Sequence, residues 1–269
     1  MKASHMPRVL LTENFDKTVR RWLMTVQDYA LFCAQAVTNV FRSPHYWSDI
    51  FTQSDLIGVG SVPIVVLTGF FTGGVLALQS AASLAQFGAQ AYTGRFVSLS
   101  MIRELAPVLT GLMVSGRNAS GMASELGSMV VTEQIDAMRA LGTDPMKKLV
   151  TPRMISTVVV LFLLTVVADT LGTAGGASVA VFISHLDGAQ YFSSAYQALV
   201  FSDIIQGLTK PLVFGFIIAT IGCYKGMRTT GGTQGVGRST TQAVVISSVL
   251  IIFSDFLISR VMLWLFPPL

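Results

Sequence analysis

The chain has 269 residues, of which 52% are hydrophobic and only 12% are charged, and its formal net charge is +4. Soluble domains carry about 25% charged residues, so this composition excludes an ordinary soluble enzyme or nucleic-acid-binding domain and indicates an all-α integral membrane protein. The two cysteines, Cys33 and Cys223, lie far apart without the spacing of a metal site.

The N-terminal part of the chain is predicted to lie on the cytoplasmic side of a membrane. Its first 16 residues lack the continuous apolar run of a signal peptide. Residues 18–42 then place apolar side chains at helical spacing between basic flanks, which predicts an amphipathic helix in the membrane interface with Trp22 and Tyr29 at headgroup depth. A helix of a small soluble domain is the alternative, but about 25 residues do not bury a core.

Five apolar stretches predict membrane-spanning helices, each of which needs about 20 residues. They form a membrane domain of residues 51–269 that follows an N-terminal unit of residues 1–50. The small-residue pair Gly69 and Gly73 predicts close approach of a second helix to the first span, and Pro107 predicts a kink in the second. The predicted spans are about residues 56–78, 96–115, 154–183, 199–224 and 241–266.

Glycine-rich positions predict a bend in the third span and a flexible connection before the last span. Gly172, Gly175 and Gly176 predict a bend in the third span, which is longer than a bilayer requires. Residues 225–238 are rich in glycine, threonine and basic residues and predict a flexible connection between the last two spans.

Lysine and arginine are concentrated in alternate connections between the spans. If the N-terminus is cytoplasmic, the outer segments carry only Arg95 and the border residue Arg260, and the other connecting cations are cytoplasmic. The positive-inside rule therefore predicts five spans with the N-terminus in the cytoplasm and the C-terminus outside.

The second span carries Arg103 and Glu104 side by side. Charged residues inside a bilayer are costly and usually functional. Adjacent helix positions differ by about 100°, so these two side chains are expected to meet different partners. Two interpretations stay open, a structural ion pair or a polar spot in an apolar cavity that meets a substrate headgroup. The further intramembrane charges Asp169, Lys210 and Asp255 are predicted to pair structurally.

The connection between the second and third spans predicts a cytoplasmic coupling helix over about residues 123–141. Its end reads DAMRALGTDP from Asp136, so the helix is expected to stop at Gly142. This sequence resembles the "EAA" loop of ATP-binding-cassette importers, which fits a groove on the ATPase. We therefore predict ATPase docking, with a solvated interfacial helix as the alternative.

A near match to a phosphate-binding loop, GTQGVGRS, starts at Gly232. That motif binds phosphate between a strand and a helix, whereas here it joins two spans, so we predict no ATP binding in this chain. No nucleophile with a base and no metal-ligand cluster is apparent. The sequence predicts a transport subunit rather than an enzyme, without a cofactor or metal of its own.

A long run of the chain resembles a known family. The sequence LSMIRELAPVLTGLMVSGRNASGMASELGSMVVTEQIDAMRALGTDPMKKLVTPR, from Leu99 to Arg153, closely resembles the MlaE/YrbE permeases, the membrane subunits of MCE-type ABC lipid transporters. The likeness extends from VLTGFFTGGVLALQ in the first span through TTQAVVISS and Asp255 in the last.

The resemblance implies a set of partners and a location. It implies a homodimer in the bacterial inner membrane, two cytoplasmic ABC ATPase subunits that bind ATP and Mg²⁺, and a hexameric MCE-domain protein on the periplasmic side. Some members add a STAS-domain protein. The family moves phospholipids or other lipids between the inner membrane and the outer envelope.

The resemblance also implies roles for individual residues. Arg103 and Glu104 match the polar pair of the family's lipid cavity, and Leu76 and Phe87 match cavity-lining positions, although some relatives carry tyrosine at the latter. The expected mechanism is that ATP-driven closure of the ATPases pushes on the coupling helix and collapses the cavity. The expected coupling residues are Glu125, Glu133, Asp136, Arg139 and Gly142.

Two other classes of function are weighed against this one. A proton-coupled secondary carrier would use Asp169, Lys210, Asp255 and Glu104 as a relay, but such carriers typically show internal repeats and no repeat is convincing here. A membrane scaffold would leave the intramembrane charges with structural roles only. Co-purification of an ATPase separates the ABC permease from both.

Overall fold

The computed structural model describes the backbone of residues 8–44 and 46–266, which contains helices and no strands. This confirms the all-α prediction. Five helical stretches are long and apolar enough to cross a membrane, as predicted. Those stretches are Trp47–Ala85, Gln90–Val131, Met146–Phe182, Phe201–Met227 and Gly232–Leu265.

Ten α-helices form the described part of the chain, and three π-helical turns interrupt or precede them at Met101–Leu105, Ser115–Ala119 and Met146–Val150. A short 3₁₀ turn lies at Gln90–Tyr92. In chain order the helices are α1 (Arg8–Val40), α2 (Trp47–Ala85), α3 (Thr93–Ser100), α4 (Ala106–Val114), α5 (Ser120–Val131), α6 (Gln134–Ala140), α7 (Thr151–Phe182), α8 (Gly188–Ala198), α9 (Phe201–Met227) and α10 (Gly232–Leu265).

Helices α2 and α7 pack closely, because small residues let their backbones meet. A Cβ atom at Gly73 would overlap the carbonyl oxygen of Gly172, and one at Gly69 would lie 3.1 Å from the carbonyl oxygen of Ala168. The predicted close approach at Gly69 and Gly73 is therefore present. Since α7 continues without interruption across Gly172, this glycine serves the contact with α2 and does not end the helix.

The helix that carries the second span extends beyond the predicted residues 96–115 and contains two irregular turns. It runs without a break from Thr93 to Val131, through α3, α4 and α5. The π turn at Met101–Leu105 ends two residues before Pro107, which has no N–H to donate to the preceding turn. Such single π turns often occur at functional sites, and this one carries Arg103 and Glu104.

The predicted coupling segment is divided in two. Its first part is the end of α5, which packs into the bundle and buries Leu126. Glu133, with a φ of 59°, ends this part and precedes the short helix α6. Gly142 then adopts a φ of 78°, so the predicted glycine stop is present. The predicted connection over residues 225–238 is also mostly helical, because α9 ends at Met227 and α10 begins at Gly232.

Helix α1 packs on the bundle through one face. The Tyr29 hydroxyl lies 2.7 Å from Thr220 Oγ1, and its ring makes an edge contact with Tyr224 at a centroid distance of 5.3 Å. Tyr29 thus faces the bundle, and burial raises the pKa of its phenol. The side chain of Trp22 lies outside the described residues. Leu23 and Leu31 are exposed on other faces of α1, and the interfacial placement of this helix stays a prediction.

Candidate functional site

An open cavity of about 650 Å³ lies beside the π turn of the second span. Helices α2, α3, α9 and α10 contribute to its wall, which is mostly apolar with charged groups at one side. It is lined by Leu84, Tyr92, Arg95, Phe96, Leu99, Ser100, Arg103, Glu104, Gln206 and Leu263.

Arg103 is held at the cavity by Asp203. Its Nε and Nη2 atoms donate to Asp203 Oδ1 at 2.9 and 2.6 Å. The other carboxylate oxygen of Asp203 accepts from the backbone N–H of Val200 at 3.1 Å, which fixes the carboxylate at the first turn of α9. The side chain of Asp203 is only 3% exposed, whereas that of Arg103 remains 39% exposed. The guanidinium therefore keeps an accessible edge at the cavity.

Glu104 meets a different partner, as the 100° offset predicts. Its Oε2 accepts from Lys210 Nζ at 2.5 Å, and its Oε1 accepts from Ser259 Oγ at 3.0 Å. Lys210 is fully buried and also pairs with Asp255 Oδ1 at 2.8 Å. Helices α9 and α10 are thereby joined to the π turn through one buried ammonium group.

The two ion-pair systems lie beside the cavity and contain one more carboxylate than cations. Two cations, Arg103 and Lys210, face three carboxylates, Glu104, Asp203 and Asp255. The structural and the functional interpretations of the Arg103–Glu104 pair are therefore compatible, because both residues are in ion pairs and both line the cavity. Asp203 was not among the predicted site residues, because its only signal in the sequence is its place in the first turn of a predicted span.

Asp169 does not belong to this group. Its Oδ1 atom is buried without a hydrogen-bond partner in the described part of the chain. The predicted structural pairing of Asp169 is therefore not observed. No ion pair among the described residues connects Asp169 to Lys210, Asp255 or Glu104. The proton-relay alternative is therefore without a contact between Asp169 and its other three residues.

The expected cavity-lining residues Leu76 and Phe87 are not in the wall of this cavity. Leu76 is partly buried and packs against the core. Phe87 lies beyond the end of α2 at Ala85 and is 82% exposed. Helix α2 instead reaches the cavity through Leu84, two turns after Leu76.

The expected coupling residues are spread over two environments. Glu125 accepts from Arg153 Nη2 at 2.6 Å, and this buried arginine joins α5 to α7. Asp136 and Arg139 form an exposed pair one turn apart on α6, at 2.8 Å. Leu141, which follows α6, is 83% exposed. The turn of α6 and Leu141 are thus open to a partner, and the half-exposed Glu125 of α5 is accessible beside its pair with Arg153.

Nothing in the described ranges groups three or more histidine, cysteine, aspartate or glutamate side chains closely enough to hold a metal ion. The site combines an apolar wall with charged groups at one side, a combination that matches an amphipathic ligand.

Comparison with known proteins places this geometry in context. The family model described as Permease MlaE matches residues 50–261. A probable ABC transporter permease from Rickettsia conorii is 43% identical over 250 residues, covering 93% of this chain and 96% of the relative. The chloroplastic Arabidopsis thaliana protein TRIGALACTOSYLDIACYLGLYCEROL 1 is 37% identical over 229 residues, covering 85% of this chain and 65% of that one. A protein of Haemophilus influenzae named intermembrane phospholipid transport system permease protein MlaE is 31% identical over 211 residues, covering 78% and 81%.

Proposed function

Because the chain belongs to the MlaE permease family and is the multi-pass permease subunit of a lipid ABC transporter, we propose that the cavity beside Arg103 and Glu104 holds a phospholipid during transport. The headgroup lies against the exposed edges of these two side chains. The acyl chains lie along the apolar wall formed by residues such as Phe96, Leu99 and Leu263.

The observation that supports this assignment is the pairing of an apolar wall with a half-exposed ionic cluster. Arg103 and Glu104 are 39% and 43% exposed, although their partners Asp203 and Lys210 are buried. A guanidinium recognises phosphate oxygens by paired, charge-assisted hydrogen bonds. Its fixed orientation on Asp203 lowers the ordering cost of binding.

The remaining machinery belongs to partner chains. A second copy of this subunit completes the cavity, and Phe87 and Leu76 are expected to approach the lipid only in that homodimer. Two cytoplasmic ABC ATPases bind ATP and Mg²⁺ and dock on α6, and a hexameric MCE-domain protein receives or delivers lipid on the periplasmic side. A STAS-domain protein on the ATPase is a further proposed partner. The subunit lies in the bacterial inner membrane with its N-terminus in the cytoplasm and its C-terminus in the periplasm.

The lipid assignment is tested by the substitution Arg103→Gln. Losing a charge-assisted hydrogen bond is expected to lower the phospholipid bound per purified subunit about tenfold, measured by mass spectrometry of extracted lipid. Arg238→Gln is the matched control, since it removes an exposed cation from α10 outside the cavity lining. Unchanged lipid occupancy in Arg103→Gln, with the control also unchanged, would contradict the assignment.

The docking assignment is tested by the charge reversal Asp136→Lys. It places a cation beside Arg139 on the exposed face of α6, so the ATPase is expected to co-purify at about one-tenth of the wild-type amount when a docking charge pair is lost. The measurement is the ratio of ATPase to permease after affinity purification through this subunit. Asp55→Lys, an exposed reversal on α2, should leave that ratio within a factor of about two. Full retention of the ATPase by Asp136→Lys would place its docking site elsewhere.

A further inference from the structure

A second cavity, of about 350 Å³, lies at the other end of the second span. It is bounded by the beginning of α2, through Gln53 and Leu56, and by the π turn at Ser115–Ala119. Two polar residues of that turn, Arg117 and Asn118, line the cavity.

Arg117 is anchored by one of its nitrogen atoms only. Nη1 donates to Ser61 Oγ at 3.0 Å and to the carbonyl oxygens of Leu56 and Ile57 at 3.4 Å. A Cβ atom at Gly60 would overlap the guanidinium of Arg117. The missing side chain of this glycine therefore leaves the space on α2, the seat, in which the guanidinium lies. Every hydrogen bond that the described residues give Arg117 uses Nη1, and none of its partners is a carboxylate. The donors on Nε and Nη2 stay unused.

Asn118 provides a second unused donor. The residue is 7% exposed, and its Nδ2 atom is buried without a hydrogen-bond partner in the described ranges. A buried donor without an acceptor costs about 1–3 kcal/mol, and such a group in a native protein calls for an explanation such as a bound ion. Because Asn118 lines the cavity, rotation of its buried amide would bring this donor to an acceptor bound there.

The charge balance of this cavity favours an anion. Glu125 is the acidic residue of its lining, and that carboxylate is already paired with Arg153 at 2.6 Å. The charge of Arg117 therefore has no counter-ion in the cavity. The neighbouring wall is apolar through Leu56, which is 58% exposed, and Met122.

We propose that Arg117 and Asn118 bind the phosphate of a phospholipid headgroup in the leaflet opposite to the one reached by Arg103. Fourteen residues separate the two arginines, which corresponds to about 21 Å along a helix, against a hydrocarbon thickness of about 30 Å. The second span thus carries one headgroup site towards each leaflet. This inference rests on the proposed function only in taking phospholipid as the cargo, and inorganic phosphate is the other source of the same chemistry.

The test uses the intact transporter complex in phosphatidylcholine nanodiscs that contain phosphatidylglycerol with a photoreactive headgroup. After irradiation, labelled peptides are mapped by mass spectrometry. We expect label on peptides that contain residues 53–61 or 117–125. Arg117→Gln and Asn118→Leu should each lower this label about tenfold, the loss expected for one charge-assisted or buried hydrogen bond. Label near Arg103 should stay unchanged in both variants.

The reciprocal variant separates this inference from the proposed function. Arg103→Gln should lower the label in the large cavity and leave the label at residues 117–125 intact. If label is absent near Arg103 but present at residues 117–125, the proposed function is contradicted. If label is absent at residues 117–125, or is unchanged there by Arg117→Gln and Asn118→Leu, the second site is overturned. Displacement of this label by excess inorganic phosphate would also overturn it, since the ligand would then be free phosphate.

The variant Gly60→Ala tests whether a lower label could come from loss of folding rather than from loss of the binding site. It retains both donors but displaces the guanidinium from its seat, so it should lower the same label while the thermal unfolding midpoint shifts by only a few degrees. Wild-type labelling in Gly60→Ala would contradict the proposed role of the seated guanidinium.

Discussion

Lys210→Met is expected to abolish ATP-driven phospholipid transfer and to lower the free energy of unfolding by about 3–5 kcal/mol. Lys210 is fully buried and pairs with both Glu104 and Asp255. Removing one partner of a buried ion pair leaves charge without compensation in a medium of low dielectric constant, which costs an amount of this size. The measurements are transfer of a fluorescent phospholipid by the reconstituted complex and denaturant-induced unfolding of the purified subunit.

Two further variants make this result interpretable. Lys147→Met removes a lysine whose ammonium group donates to the carbonyl oxygen of Ser43 at the surface, so its cost should stay below about 1 kcal/mol. The triple variant Lys210→Met, Glu104→Gln, Asp255→Asn removes all three charges and should recover most of the stability but not the transfer. Transfer by Lys210→Met at the wild-type rate would show that the buried ion pairs are dispensable.

Gly73→Val is expected to be the most damaging substitution outside the charged cluster, with a loss of at least about 3 kcal/mol. The new side chain would collide with the backbone of α7 at Gly172. A backbone atom does not move aside by changing rotamer, so α2 and α7 must separate, which exceeds the usual cost of an overpacked core. Thermal unfolding in a mild detergent measures the loss.

Gly237→Ala is the matched control for this helix contact. Gly237 lies within α10, and a Cβ atom there would meet nothing within 4 Å. Alanine should therefore stabilise that helix by up to about 1 kcal/mol. An equal, small effect of Gly73→Val and Gly237→Ala would refute the backbone contact between α2 and α7.

The sequence by itself determined the elements that depend on local pattern. Apolar length predicted the five spans, because a bilayer core demands about 20 apolar residues per helix. The adjacent positions of Arg103 and Glu104 predicted different partners, since neighbouring side chains on a helix point in different directions. The glycine spacing in α2 predicted a close helix contact, and the run at the end of α6 predicted the stop at Gly142.

Only the tertiary structure decided which distant residues meet. Arg103 pairs with Asp203 across 100 positions, and Lys210 joins Glu104 to Asp255, while Asp169 has no partner among the described residues. Such pairs depend on which helices become neighbours and on how each helix is rotated about its axis. The hydropathy pattern of the sequence gives neither of these. In the single chain the cavity is lined by Leu84 and not by Leu76, and Glu133 divides the predicted segment 123–141. The π turns add a physical reason, because each inserts an extra residue into the helical repeat and rotates the side chains that follow.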